Sequence, residues 1–311
     1  MLYWKEKFEK LIPKFKSGDK SALAKMISLV EENPTDSWLI ISKLQSEIPP
    51  KNSHVIGITG SPGVGKSTFI SQLIEHYTRK KEKIGIILID PSSPFTGGAF
   101  LGDRVRMFSS INSSNVYIRS LASRGAVGGV CNAIYDITDI MKSFGFDKII
   151  IETVGAGQSE IDIFYACDTT ILLLSPDSGD EIQIYKAGIM EIADFYVVNK
   201  IDLPNSKRFL MYLESYFDSK NEGKKKIFGI SSTERLGFEE LFDNIELNEK
   251  EKINQDSKLL LREKNKIKYY FLNIIENFLE EHIVERNDIS FLKDEILKFL
   301  CRGESNNAKE D

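Results

Sequence analysis

Cysteine and histidine are scarce in this sequence, with three of each among 311 residues, and neither type is clustered. The cysteines form no CxxC pair, so the sequence indicates neither a disulfide framework nor a thiolate metal site, and scattered free thiols are typical of a reducing compartment. No apolar run approaches the roughly 18 residues that a membrane-spanning helix needs. The N-terminal stretch MLYWKEKFEK carries acids and no apolar core, unlike a secretory signal. We therefore expect a cytoplasmic protein with no membrane association.

An excess of basic charge is also missing. The formal net charge is −5 at pH 7, whereas nucleic-acid-binding domains usually present a basic face, so we expect no nucleic-acid partner. Hydrophobic residues make up 41% of the chain, which is ordinary for a globular protein, and the length allows one large domain or two.

The hydrophobic pattern divides the chain into three regions. Residues 1–50 show the apolar spacing of helices and predict an N-terminal helical region. In residues 51–248, short runs rich in Ile and Val alternate with amphipathic stretches, which predicts an α/β domain with a mainly parallel central sheet flanked by helices. In residues 249–311 the spacing is helical again, and it ends in a polar tail that we expect to be disordered.

One stripe in the last region has the spacing of a short coiled coil. Ile267, Phe271, Ile274 and Phe278 alternate steps of four and three residues. Such a stripe either packs on its own domain or pairs with a second copy of the chain, and the spacing alone does not decide between the two.

The segment GSPGVGKS, residues 60–67, matches the phosphate-binding pattern G-x-x-x-x-G-K-[ST] in full. It follows the apolar run VIGIT and opens the helical pattern STFISQLIEHY, which is the strand-to-helix context that the motif requires. Backbone N–H groups of such a loop attract phosphate oxygens, and so does the N-terminus of the helix that follows. We expect the Lys66 ammonium to reach the β- and γ-phosphates. We expect the Ser67 hydroxyl to bind Mg²⁺. The predicted phosphate-site residues are Gly60, Ser61, Pro62, Gly63, Val64, Gly65, Lys66, Ser67 and Thr68.

The segment NKID, residues 199–202, follows the run FYVV and predicts a guanine site. The Asp202 carboxylate can accept hydrogen bonds from the N1–H and the N2 amino group of guanine, and adenine offers no such donors. The Lys200 stem can lie along the base, whereas we expect Asn199 to tie loops together rather than to contact the base. The residues expected to approach the guanine O6 through backbone N–H groups are Ser231, Ser232 and Thr233.

Oxygen-bearing residues in the same region indicate a magnesium site. Mg²⁺ keeps several of its waters, so we expect one or two direct protein contacts and water-mediated contacts from the other residues. The predicted metal residues are Ser67, Asp90, Asp103 and Glu152.

Gln158 is a candidate for orienting the attacking water, although its offset from Glu152 differs from that in small GTPases. The candidates for stabilising charge are Arg104, Arg106, Arg124 and Lys186. The predicted catalytic set is Lys66, Asp103, Glu152, Gln158 and Lys186.

Several longer stretches together resemble one protein family. They are IDPSSPFTGGAFLGDRVRM, SRGAVGG, ETVGAGQSE and DEIQIYKAGIMEIAD, together with GITGSPGVGKSTFI. These stretches are similar to the MeaB/ArgK family of GTPases in the SIMIBI class of P-loop proteins, whose members include the human methylmalonic aciduria type A protein. The resemblance covers residues 20 to about 240 densely and the helical ends by layout only.

The resemblance implies a P-loop NTPase fold and a GTPase, slow on its own, that acts as a chaperone for an adenosylcobalamin-dependent acyl-CoA mutase of the methylmalonyl-CoA mutase type. In the family, the nucleotide state gates cofactor loading and protection of the mutase. The resemblance also implies that the chain binds Mg²⁺, GTP and GDP. It implies that adenosylcobalamin is bound by the partner rather than by this chain, and that a cobalamin adenosyltransferase is a further candidate partner. It implies a homodimer to which a C-terminal helical arm, residues 249–311, contributes, and an additional switch at residues 176–188 in which Gln183 and Lys186 are retained.

The sequence departs from the family pattern at two places. Ile184 stands where the family has glycine, which restricts φ in a moving loop, and the C-terminal end lacks the expected Pro/Ala-rich residues. The first departure affects the expected switch, and the second affects the expected dimer.

The segment NSHVIG, residues 52–57, resembles a cobalamin-binding D-x-H-x-x-G pattern, but it runs into the strand before the phosphate loop. We therefore expect that His54 does not bind cobalamin.

Three other functions stay open at this point. A metallochaperone-type GTPase for nickel enzymes or another metalloenzyme belongs to the same class, but such proteins tend to carry Cys or His clusters. A kinase or transport ATPase is disfavoured by Asp202, because that residue selects guanine. A scaffold that binds GTP with negligible turnover would carry the same motifs as a slow GTPase.

Overall fold

The structure is a computed structural model that describes residues 3–90, 114–122, 129–153, 165–176, 190, 193–219, 226–252 and 256–283. Within these ranges, the side chains of residues 3, 90, 122, 129–132, 219, 252, 256–259, 273 and 276–283 are not described. No helix in these ranges is long and apolar enough to cross a membrane.

Three helices precede the sheet, as the apolar spacing predicts: α1 (Tyr3–Lys16), α2 (Lys20–Glu32) and α3 (Ser37–Glu47). Helix α2 begins where the Asp19 carboxylate accepts a hydrogen bond from the Ser21 N–H at 2.7 Å. Such an N-cap satisfies one of the free N–H donors of the first turn. The apolar face of α2 is buried, so this helix is held mainly by packing.

The described residues form a sheet of seven parallel strands in the order β3-β2-β4-β1-β5-β6-β7. The strands are β1 (His54–Gly60), β2 (Ile84–Asp90), β3 (Val116–Ala122), β4 (Lys148–Glu152), β5 (Thr169–Leu174), β6 (Phe195–Val198) and β7 (Lys226–Gly229). The strands β1, β4, β5 and β6 are buried along their whole length, which explains their near-continuous apolar sequences. The predicted parallel α/β fold is confirmed.

Helices cover both faces of this sheet. They are α4 (Lys66–Arg79), α5 (Gly129–Phe144), α6 (Ser206–Ser219) and α7 (Phe238–Lys252). A further helix, α8 (Asp256–Ile283), follows α7 along the chain. Leu172 and Leu173 are neighbours on β5 but belong to different core clusters, because successive side chains of a strand point to opposite faces. The Leu173 cluster includes residues of α4 and α7, and the Leu172 cluster includes residues of α6.

Helix α2 covers the outer edge of the sheet at β3. The Lys20 ammonium donates to the Val116 carbonyl at 2.8 Å, and Arg119 on β3 pairs with Glu31 on α2. Helices α2 and α3 also contact α5. Because an open edge strand presents unpaired N–H and C=O groups, the N-terminal helices protect the sheet from pairing with other chains.

The chain divides into two compact units, Met1–Lys266 and Ile267–Asp311. The N-terminal helices and the sheet belong to the first unit, and the described part of the second unit is the end of α8. In the predicted coiled-coil-like stripe, the side chains of Ile267 and Phe271 are exposed, and that of Phe278 lies outside the described residues. The division of the chain at residues 50 and 248 stays a prediction.

A polar contact joins α5 to the first half of α8. The Asp139 carboxylate on α5 accepts hydrogen bonds from the Arg262 guanidinium at 3.5 Å and from the Lys266 ammonium, and all three side chains are largely buried. Lys142 lies one helical turn after Asp139 on α5. Burial is the main cause that lowers the pKa of Lys142 to about 8; the Arg262 and Lys266 cations add to the shift, while Asp168 and Asp139 oppose it.

Replacing Lys142 with methionine should stabilise the protein at neutral pH. The pKa of the lysine is 10.5 in its ordinary environment and about 8 in the folded chain, so below pH 8 the buried charge opposes folding in full. We expect Lys142→Met to raise the free energy of unfolding at pH 7 by on the order of 1–2 kcal/mol. The advantage should shrink between pH 8 and 10.5, because wild-type stability rises where only the unfolded chain binds the proton.

Urea denaturation of both proteins at pH 7 and near pH 10.5 measures this difference. The matched control is Lys264→Met, which removes a lysine on the exposed side of α8. A Lys142→Met variant that is less stable than wild type at pH 7, or a difference that does not change with pH, would contradict the burial of this charge.

Candidate functional site

The carboxyl ends of the parallel strands meet at one edge of the sheet, where ligands of open α/β sheets bind. At this edge β1 runs into the predicted phosphate loop, residues 60–67, and β4 ends at Glu152. Strands β6 and β7 lead into Asn199 and Ser231. Because β1 pairs directly with β4, the predicted phosphate and metal residues come from neighbouring strands.

Two glycines allow the phosphate loop to approach its neighbours closely. Gly60 has a φ of 149°, and a Cβ there would lie 2.3 Å from the Leu173 carbonyl oxygen. Gly65 has a φ of 96°, and its Cβ would lie 2.4 Å from the Asn199 side-chain nitrogen. Both distances are below any normal contact, so a side chain at either position would push the loop away from β5 or from Asn199.

Lys66, the first residue of α4, lies against the loop itself. It is buried, and its ammonium donates hydrogen bonds to the carbonyls of Gly60 and Ser61, the latter at 3.1 Å. The loop thus places a cation next to the N-terminal N–H groups of α4, and both attract anions. This arrangement can bind the phosphates of a nucleotide.

Ser67 and Glu152 meet at the same edge, one from α4 and one from the end of β4. The Ser67 hydroxyl donates to a Glu152 carboxylate oxygen at 3.4 Å, and Glu152 is fully buried. The Thr153 N–H donates to the Ile58 carbonyl at 3.1 Å, which holds the end of β4 against β1. A hydroxyl oxygen and a carboxylate oxygen in contact fit the oxygen preference of Mg²⁺. Among the described residues, no group of three or more His, Cys, Asp and Glu is placed to hold a metal.

Asn199 connects the phosphate loop to the loops that follow β6 and β7. Its side-chain nitrogen donates to the Val64 carbonyl at 2.8 Å, and its side-chain oxygen accepts from the N–H groups of Lys200 at 2.9 Å and Ser232 at 3.0 Å. The side chain is buried, and Lys200 takes a left-handed φ of 62° in the turn. Asn199 therefore lies where the sequence places it, between loops rather than in the open part of the base site.

In the loop after β7, two of the three N–H groups that were predicted to approach guanine O6 donate hydrogen bonds within the protein. The Ser231 N–H donates to the Leu236 carbonyl at 3.1 Å, and the Ser232 N–H is bound to Asn199. Of the three N–H groups, that of Thr233 alone has no partner among the described residues, and Thr233 is exposed. Asp202 is also exposed, in the turn after β6. These two residues remain accessible to a base.

Several predicted site residues lie outside the described part of the chain. They are Asp103, Gln158 and Lys186, with the side chain of Asp90 and the charge candidates Arg104, Arg106 and Arg124. The substituted position Ile184 also falls there. Their roles stay predictions.

His54 lies at the other end of β1, away from the phosphate loop. It is buried, and its Nε2 is 2.9 Å from the Thr169 hydroxyl, which also accepts a hydrogen bond from the Asn248 amide. This arrangement is a structural contact between β1, β5 and α7, and the absence of cobalamin binding by His54 stays a prediction.

The sequence pattern of the family described as "Methylmalonyl Co-A mutase-associated GTPase MeaB" matches residues 23–288. A Pyrococcus horikoshii protein named "Putative GTPase PH0274" is 38% identical, over 90% of this chain and 91% of its own length. A Caenorhabditis elegans protein named "Methylmalonic aciduria type A homolog, mitochondrial" is 41% identical, over 62% of this chain and 52% of its own length.

A similar solved structure is the crystal structure of a "LAO/AO transport system kinase". It superposes with a TM-score of 0.67 and 22% identity, covering 97% of this chain and 93% of the other. At this identity the likeness concerns the fold alone, and it agrees with the parallel sheet described above.

Replacing Asn199 with alanine should weaken the binding of GTP and GDP alike. The change removes the hydrogen bonds to Val64, Lys200 and Ser232 and leaves buried backbone groups unpaired. Because each such loss costs about 1–3 kcal/mol, we expect both affinities to fall by roughly 10- to 100-fold, which isothermal titration calorimetry measures. The matched control is Asn244→Ala, since in the part of the chain that the structure describes the Asn244 amide bonds only to Glu240 of its own helix. Unchanged affinity in a folded Asn199→Ala protein would show that the loops hold their arrangement without this amide.

Proposed function

This chain belongs to the MeaB family of methylmalonyl-CoA mutase-associated GTPases, and we propose that its GTP cycle gates cofactor loading and protection of an adenosylcobalamin-dependent acyl-CoA mutase. As a member of this family, the chain is a GTPase that hydrolyses GTP to GDP and phosphate. The observation that carries the proposal is the extent of the family match, because residues 23–288 include the nucleotide site and all of α8.

The phosphates of GTP would lie along the loop between β1 and α4. Lys66 is the cation for the β- and γ-phosphates, and its hydrogen bonds to Gly60 and Ser61 would be exchanged for phosphate oxygens. Ser67 and Glu152 would hold Mg²⁺ directly or through water, because their oxygens are in contact beside the loop. When bound, Mg²⁺ neutralises charge on the phosphate oxygens.

The guanine would lie at the loops after β6 and β7. The exposed Asp202 carboxylate accepts from the N1–H and the N2 amino group, and the Thr233 N–H is the donor left for O6. The hydrogen bonds of Asn199 keep this base site at a fixed distance from the phosphate loop. A nucleotide bound to the phosphate loop would therefore have its guanine in reach of Asp202 and Thr233.

The remaining roles follow from the family pattern. Asp90 and Asp103 complete the water-mediated shell of the metal, Gln158 orients the attacking water, and Lys186 stabilises the developing charge. Adenosylcobalamin is bound by the mutase and not by this chain, and a cobalamin adenosyltransferase is a further candidate partner.

We propose that a second copy of this chain covers the exposed side of α8. Leu260 and Leu261 are 73% and 40% exposed, and Ile267 and Phe271 are 54% and 59% exposed. Leu260, Ile267 and Phe271 repeat at steps of seven and four residues, so they share one face of the helix. An apolar stripe of this kind is typical of a helix that pairs with its symmetry mate.

Stimulation of GTP hydrolysis by a mutase tests the proposed partner. We expect the basal rate to rise severalfold with one adenosylcobalamin-dependent acyl-CoA mutase of the source organism, measured as phosphate release with each such mutase in turn. The control is Glu152→Gln, which should bind GDP normally but hydrolyse GTP slowly with and without the mutase, because the metal contact is weakened. Basal hydrolysis that no mutase stimulates would contradict the chaperone, and would favour a metallochaperone-type GTPase. The absence of hydrolysis under all conditions would favour the GTP-binding scaffold.

Replacing Asp202 with asparagine should change the base that the protein selects. The asparagine amide can donate to the 2-oxo group of xanthine but repels the N2 amino group of guanine, so we expect GTP affinity to fall by about 100-fold or more and xanthosine triphosphate to bind instead. Competition between the two triphosphates for a fluorescent nucleotide measures the change. Asp218→Asn, at an exposed position on α6, is the matched control. Unchanged GTP affinity would exclude Asp202 from the base site.

A further inference from the structure

The described side chains in the first half of α8 place two cations on the buried side of the helix and two leucines on the exposed side. Arg262 is 7% exposed, and the Lys266 side chain is 13% exposed. Both are in contact with α5, while Leu260 and Leu261 are exposed. A helix that packs on its own domain normally exposes its charges, but here the described hydrogen bonds to α5 are made by ionic groups, and Tyr269, three residues after Lys266, is also buried.

Asp139 is the acceptor on which this contact depends. Its carboxylate, 10% exposed, accepts from Arg262 through one oxygen and from Lys266 through the other. Arg262 and Lys266 are four residues apart and so lie on the same side of α8. A single carboxylate that holds both of them allows only one rotation of the helix about its axis.

Lys142, one helical turn after Asp139, belongs to the same group of charges among the described residues. Burial is the main cause that lowers the pKa of Lys142, and the Arg262 and Lys266 cations add to the shift. The second nearby carboxylate, Asp168, accepts a hydrogen bond from the Val55 N–H at 2.8 Å. Asp139 is the carboxylate that pairs with both Arg262 and Lys266, and removal of its charge would leave these two cations repelling each other.

Burial of ion pairs contributes little net stability compared with apolar packing of the same volume. The better-attested role of such groups is to select one arrangement among several, as a buried polar residue selects the register of a coiled coil. The position of the cluster fits this role. The Lys142 carbonyl accepts from the Lys51 N–H just before β1, so the cluster lies at the opposite edge of the sheet from the nucleotide site.

We propose that the Asp139 cluster, formed by Asp139, Lys142, Arg262 and Lys266, is a positioning device that fixes the rotation of α8 and turns the Leu260 side of the helix towards a second copy of the chain. This inference rests on the proposed homodimer, and it assigns the residues that present the dimer surface. None of the four residues contacts the predicted nucleotide site, so basal GTP hydrolysis should not depend on them.

The first test is Asp139→Asn, which removes the charge and keeps the shape. We expect amide hydrogen exchange in residues 256–266 to become faster by at least about tenfold, because this part of α8 detaches more often. Sedimentation should show that the variant dimer already dissociates at about tenfold higher protein concentration than the wild-type dimer, and basal GTP hydrolysis should stay within about twofold of wild type. The matched control is Glu263→Gln, which removes one negative charge on the exposed side of the same helix and should change neither exchange nor dimerisation.

The second test separates attachment from rotation. In the triple variant Asp139→Leu, Arg262→Met, Lys266→Leu, apolar packing replaces the ionic contact, and such replacements usually keep an interface intact. We expect slow amide exchange in residues 256–266, as in wild type, but a weaker dimer, because the ionic contact that selects the rotation of α8 is gone. A triple variant that dimerises as tightly as wild type would show that the cluster only holds α8 against α5 and does not set its rotation, which would overturn the proposal.

The two proposals can fail separately. Unchanged exchange in Asp139→Asn overturns the positioning role whatever the oligomeric state. A wild-type chain that sediments as a monomer contradicts the homodimer and with it the presentation of a dimer surface, and faster exchange of α8 in an Asp139→Asn monomer would then show only that Asp139 attaches the helix.

Discussion

The buried amide of Asn199 is the contact on which the nucleotide site depends. Through one side chain it holds the Val64 carbonyl of the phosphate loop and the Ser232 N–H of the loop after β7. These loops belong to strands that are three positions apart in the sheet. A nucleotide needs a phosphate site and a base site at a fixed separation, and this amide joins the loops predicted to form the two sites. Glycine at position 65 leaves room for this amide, since any side chain there would displace the Asn199 side-chain nitrogen.

Strand β4 links the two functional edges of the sheet. At its amino end the Lys148 ammonium is buried and contacts both carboxylate oxygens of Glu249 on α7 at 2.6 Å. At its carboxyl end Glu152 contacts Ser67. The helix that follows α7 is α8, and Asp139 holds it at the same amino edge. The candidate nucleotide site and the proposed assembly surface therefore lie at opposite ends of the parallel strands.

Much of the fold and of the phosphate site could be predicted, because these features follow from local patterns. The strands appear as short apolar runs, since both of their faces are buried, and the phosphate loop is marked by glycines whose φ angles other residues rarely adopt. The N-terminal helices follow from apolar spacing in the same way. The sequence could not show that two of the three N–H groups predicted to approach guanine O6 bond to Leu236 and to Asn199 within the protein. Such pairing depends on the path of the chain and leaves no periodic signal.

The sequence by itself determined the chemistry of this protein: a lysine and a serine at the start of a helix, a glutamate at the end of a strand, and an aspartate after another. Tertiary structure decided which distant residues act together. Asn199 reaches a carbonyl that lies 135 residues earlier in the chain, Ser67 meets Glu152 across 85 residues, and Asp139 selects the buried side of α8 across 123 residues. The physical reason is that hydrogen bonds and ion pairs of this kind gain their strength from burial, and burial is created only when the sheet and its helices pack together.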